Sequence, residues 1–176
     1  MRIFSRRNRL PAAAIVLGGV AGCAAVGLWP AREAPVATTT SSCSTWLAGA
    51  VSAAPVAFTP SRAACAIPNP VRAERLATGL SQPVLADCDL LATFDRFLAE
   101  IVQPAAQRHL GQPVATTLVG PGHQCRTVYN RPGAKMSGHA SGRAVDVSGF
   151  RLQDGSTVIL KRDWRSPDGR SRFLRA

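Results

Sequence analysis

In the stretch SGHASGRAVDVSGF, residues 137–150, His139 and Asp146 stand seven residues apart among Ser137, Gly138, Ala140, Ser141 and Gly142. An imidazole and a carboxylate are both suitable zinc ligands. Residues this small build no core, but they let the backbone curl tightly and leave room for an ion and a substrate. A catalytic zinc normally takes three protein ligands and a water, so the stretch accounts for two. A plainer reading of the same pair is a turn ordered by its own hydrogen bonds, a common use of aspartate. In AVDVS, Val145 and Val147 share one face of a strand, and Ala144, Asp146 and Ser148 share the other. If the valines face the core, Asp146 points away from it.

The flanking sequence predicts an α+β domain in which N-terminal helices pack on a small antiparallel sheet that carries the motif. CSTWLAGA, from Cys43, reads as a short helix stopped before Pro55, and AFTPSRAACAIPNPV as loop broken by its prolines. Between Asp87 and Leu110, Leu90, Leu91, Phe94, Phe97, Leu98, Ile101 and Val102 recur at helical spacing. Asp87 and Asp89 suit the N-terminal end of that helix, Gly111 suits its stop, and Pro104 should kink or divide it. PVATTLVG reads as a strand, PGHQC as a turn and GRAVDVSGFRL as a second strand. Asp154-Gly155 reads as a two-residue hairpin turn, and STVIL as the returning strand. The tail from Lys161 to Arg175 is basic, with Trp164 as an anchor and SPDG as a turn. His109 reads as a favourable charge at a helix C-terminus, and His123 as a solvent-exposed loop residue.

At 176 residues, 46% hydrophobic and 18% charged, the chain can bury one core and is too apolar to be disordered throughout. Its N-terminus reads as an export signal over residues 1–23, with the basic MRIFSRRNRL followed by the apolar PAAAIVLGGVAG. Val20-Ala21-Gly22-Cys23 is similar to a bacterial lipobox, which makes Cys23 the lipidated residue. Leu10 to Trp29 is also long enough for an uncleaved membrane anchor. Either reading carries the domain across a membrane and tethers it there through the N-terminus. Residues 24–42, rich in Ala, Pro, Thr and Ser, read as a linker, and residues 43–176 as the domain. The net charge of +11 falls to +7 without the arginines at 2, 6, 7 and 9, which favours anionic envelope polymers or phospholipid head groups. Basic charge without a reading motif does not point to nucleic acid, so no nucleic-acid partner is expected. Cys43, Cys65, Cys88 and Cys125 are even in number in an exported chain and should form disulfides, with three pairings open.

Ser137-x-His139-x-x-Gly142-x-Ala144-x-Asp146 resembles the SxHxxGxAxD motif of the D-alanyl-D-alanine zinc peptidases. A closer resemblance runs from Cys43 to Trp164. There CAIPNPV, EIVQPAAQRHLG, CRTVYNRPGAKMSGHASGRAVDVSGFRLQDG and DW are similar to the bacterial extensin-like C-terminal domain family, itself related to those peptidases. The resemblance implies a zinc-peptidase-like fold with His139 and Asp146 as two zinc ligands. It implies catalytic roles for Arg126, beside the substrate carbonyl, and for Ser137, shaping the site or hydrogen-bonding a ligand. In the family, a histidine-rich segment beyond DW…FL supplies the third ligand, whereas this chain reads SRFLRA there. His109 and His123 match no ligand position, and no glutamate follows Asp146. The zinc site is therefore expected to be incomplete in this chain, and the domain to be a fragment or a natural truncation. Two functions follow from these residues. One is an exported, envelope-tethered zinc peptidase acting on peptidoglycan peptides. The other is a non-catalytic envelope domain that binds a wall polymer through its basic face.

Overall fold

The computed structural model describes residues 42–50 and 52–176. Cys23, the export signal and nearly all of the linker lie outside the described residues. Helix α1 (Ser42–Gly49) leads into a six-stranded sheet ordered β1 to β6 along the chain: β1 (Ala53–Pro55), β2 (Pro70–Arg75), β3 (Gly79–Asp87), β4 (Val114–Val119), β5 (Val147–Leu152) and β6 (Thr157–Ile159). The α+β class is as expected, but two features differ. The sheet is mixed, because β3 and β4 pair in parallel while the other neighbours are antiparallel. Three strands also precede the main helix, so helices do not simply come first. Both differences share a cause: the long helical segment between β3 and β4 carries the chain back to the start of β3, the crossover that parallel pairing requires.

That segment comprises α2 (Cys88–Phe97), a π-helical turn (Leu98–Val102) and α3 (Gln103–Leu110). The Asp87 side chain accepts the Asp89 amide at 3.2 Å and the Asn69 amide at 3.2 Å, capping α2. Pro104 has no N–H to return to the preceding turn and stands in the first turn of α3, just after the π turn that widens the register. Leu91, Leu98, Val102, Ala105 and Ala106 form its buried stripe and share one core with Val71, Ala73, Val84 and Ala86 of the sheet. Phe150 on β5 and Phe173 on α5 (Gly169–Leu174) close that core edge to face, with ring centroids 5.2 Å apart.

The β5–β6 hairpin has a three-residue loop instead of the expected two. The Leu152 amide donates to the Ser156 carbonyl, enclosing Gln153, Asp154 and Gly155, and Gly155 takes φ 86°. Asp154-Gly155 is thus the end of a turn carrying a bulge. The chain continues through α4 (Leu160–Asp163) to α5, with Trp164 half exposed between them. The cysteines pair as Cys43–Cys88, which ties α1 to α2, and Cys65–Cys125, which ties the proline-broken loop before β2 to the loop after β4. Among the described residues no helix is long and apolar enough to cross a membrane.

Candidate functional site

The motif occupies the long connection from β4 to β5, which lies across the end of β3. Gly122 is buried there so closely that a Cβ would stand 2.4 Å from the Leu85 carbonyl oxygen, so the position admits no side chain. Its carbonyl accepts a hydrogen bond of 2.8 Å from His139 Nδ1. A carbonyl oxygen only accepts, so Nδ1 carries the proton of this bond and the ring turns its Nε2 edge outward. Nε2 lies 3.4 Å from Asp146 Oδ2. The imidazole is 8% exposed and the carboxylate 73%, which makes the pair a buried nitrogen meeting an open carboxylate.

The small residues of the motif have separate jobs. Ser137 caps the 3-10 turn Gly138–Ser141, its hydroxyl accepting the His139 amide at 3.4 Å. Gly142 ends that turn at φ 68°, and its carbonyl accepts the Asp87 amide at 2.9 Å. A Cβ at Gly142 would come within 2.7 Å of that same nitrogen. Ala144 lies where a Cβ on Gly138 would touch it at 3.4 Å, so a larger side chain at 144 would press on the turn that holds His139. Asp146 sits immediately before β5 and not within it, and its carbonyl accepts the Gly120 amide at 2.8 Å. Val145 and Val147 pack toward the core as the alternation predicts.

Arg126 is joined to the motif through the backbone: its carbonyl accepts the Ser137 amide at 3.0 Å. Its guanidinium donates to Gln124 Oε1 at 3.0 Å and to the Thr127 carbonyl at 3.4 Å, both neutral acceptors. No hydrogen bond or ion pair links it to His139 or Asp146 among the described residues. Ser137 likewise serves the turn and not the His139–Asp146 contact. His123 is half-buried and not a free loop residue, with Nε2 3.2 Å from the Cys65 carbonyl and its ring edge-on to Phe58 at 4.7 Å. It braces the Cys65–Cys125 end of the loop. His109 lies in the last turn of α3, as expected.

The sequence reading missed Gly122 and Gln124, which orient the imidazole and the guanidinium. The first acts through a backbone carbonyl, which no residue type advertises, and the second through a neutral amide two residues from its partner. A metal's histidine ligand characteristically donates its other nitrogen to a carbonyl or carboxylate, and His139 with Gly122 has that arrangement. His139 and Asp146 therefore fit two ligand positions of a zinc ion. Among the described residues no group of three or more His, Cys, Asp or Glu side chains comes together to complete one.

Fold and site together define a disulfide-pinned α+β domain with a His–Asp pair where the β4–β5 connection crosses the sheet. The family model described as extensin-like protein C-terminus matches residues 41–176, and the chain belongs to that family. No curated protein and no solved structure matches it.

Proposed function

We propose that this domain is exported and tethered to the cell envelope, where His139 and Asp146 hold a zinc ion for hydrolysis of peptide bonds in peptidoglycan. The observation that carries the reading is the Nδ1–H to Gly122 hydrogen bond, which fixes the tautomer and aims Nε2 toward the Asp146 carboxylate. The resemblance of residues 137–146 to the zinc-peptidase motif and the two disulfides, which suit an oxidising compartment, support it. Zinc in such a site supplies a Lewis acid and a bound water of lowered pKa.

The protein's own contribution is positional. Gly122, Ser137 and Gly142 lock the imidazole, and Asp146 offers an oxygen donor that is open to solvent. Arg126 engages only neutral acceptors, so its remaining N–H groups are available to a substrate carbonyl on which charge develops. The reading requires a third ligand besides His139 and Asp146. Incubation of the full-length protein with purified muropeptides and zinc, followed by mass spectrometry, is the test. The expected result is cleavage abolished by His139→Ala and slowed about a hundredfold by Arg126→Ala. Cleavage that survives His139→Ala would remove the pair from the mechanism.

A further inference from the structure

Residues 126–137 form a hairpin whose two legs end in the site. The Ser137 amide donates to the Arg126 carbonyl at 3.0 Å, Thr127 bridges Met136, and the Val128 amide donates to the Lys135 carbonyl at 3.0 Å. One leg therefore starts at Arg126 and the other runs directly into Ser137 and His139. At the tip, Tyr129 has φ 53° and Asn130 φ 56°, consecutive left-handed residues closed by the Arg131 amide donating to the Val128 carbonyl at 3.3 Å. Glycine and asparagine are the ordinary occupants of such a turn, and a tyrosine there is a backbone outlier. Nothing in the fold repays it, because Tyr129 is 80% exposed. Among the described residues its ring meets the Arg131 guanidinium, 5.5 Å from the centroid, which covers one face. Strain that packing does not compensate is characteristic of positions kept for binding.

The charges around this arm are one-sided. Between residues 121 and 146 the cations are Arg126, Arg131, Lys135 and Arg143, and the only carboxylate is Asp146. None of the four cations forms an ion pair among the described residues. A flat amphipathic ring with one free face suits a sugar ring, and unpaired guanidinium and ammonium groups beside it suit carboxylates. The tip offers no large aliphatic wedge for a bilayer, its other residues being Asn130, Arg131, Pro132, Gly133 and Ala134. We infer that the Arg126–Ser137 hairpin is the recognition arm of the site, stacking a sugar on Tyr129 and taking the carboxylates of peptidoglycan on Arg131 and Lys135. The inference rests on the reading above that the domain meets peptidoglycan, but not on zinc or hydrolysis.

The test is co-sedimentation of the full-length protein with purified peptidoglycan, with the same material after amidation of its carboxylates, and with anionic phospholipid vesicles. The wild type should sediment with the untreated wall at physiological ionic strength. Tyr129→Ala should weaken retention about tenfold and Tyr129→Phe should preserve it. Arg131→Gln with Lys135→Gln should weaken retention and flatten its salt dependence. Tyr129→Gly suits the left-handed turn, so it should lose retention without lowering Tm, which separates recognition from folding. His139→Ala should sediment like the wild type even if no cleavage is found, so failure of the zinc reading is distinguishable from failure of this one. Retention unchanged in Tyr129→Ala, equal binding to the amidated wall, or binding to vesicles with the same loss in Tyr129→Ala would each overturn the inference.

Discussion

Asp163 and Asp146 each stand beside a basic side chain, but their surroundings are opposite. The Asp163 carboxylate is 4% exposed. It accepts the Ile159 amide at 2.7 Å and two hydrogen bonds from Arg162, at 2.7 and 2.9 Å, and lies 3.5 Å from the Arg170 guanidinium. Asp146 is 73% exposed, and its side chain meets only His139 Nε2 among the described residues. A carboxylate has about four lone-pair positions. Asp163 has spent its own on the fold, locking the end of β6 to α4 and α5. Asp146 has kept most of its free, beside a histidine whose other nitrogen is tied down. A saturated buried carboxylate holds structure, and an unsaturated open one beside an oriented imidazole is equipped to bind something.

The disulfides set the frame within which this contrast can be measured. Cys65–Cys125 spans 60 residues and anchors the start of the site loop, so its removal as the Ser pair should cost about 4 kcal/mol on chain-entropy grounds. Guanidinium unfolding of the oxidised protein and the variant checks this. A loss near zero would mean that the loop is held by its hydrogen bonds alone.

Next in size, Asp163→Ala should destabilise by about 2–3 kcal/mol, because it strands a backbone amide and two guanidinium groups arranged around the lost carboxylate. Asp146→Ala should stay within about 0.5 kcal/mol. Equal losses in the two variants would break the comparison. Acid sharpens it further. The hydrogen bond from Arg162, followed by the Ile159 amide and the charges of Arg162 and Arg170, holds the Asp163 carboxyl below its ordinary value of 3.8 against the opposing effect of burial. A carboxyl depressed in the folded state gives its full stabilisation above its unfolded value and loses it as pH falls through the folded one. Stability should therefore decline on acidification below about pH 4, and Asp163→Asn should remove part of that decline.

Parts of this were readable in the residues and parts were not, for physical reasons. The main helix announced itself through Leu91, Leu98 and Val102 and through the Asp87 cap. Phe97 and Ile101 of the same apolar series nevertheless lie exposed, because periodicity marks a helix more surely than it marks the edge of its buried stripe. In β3 the exposed Ser81-Gln82-Pro83 interrupts any alternation, so the strand has no local signature, and its parallel pairing with β4 depends on a segment across the crossover. β2 does alternate, with Val71 and Ala73 buried and Arg72 and Glu74 exposed, but a strand this short is hard to separate from the loop before it. The cysteine pairs are set by the tertiary fold, which spacing does not encode. In the site, His139 and Asp146 stood out by type and spacing and the structure brings them together. The carbonyl of Gly122 that orients His139 belongs to the backbone, and the tyrosine at the strained tip is conspicuous only once its φ is known.

The central claim is that His139 and Asp146 are metal ligands, and zinc binding by the full-length, disulfide-intact protein tests it most directly. Equilibrium dialysis with metal analysis should find stoichiometric zinc on the wild type and on Arg126→Ala, none on His139→Ala, and weakened binding on Asp146→Ala. Zinc absent from the wild type, or retained in full by His139→Ala, would contradict the account.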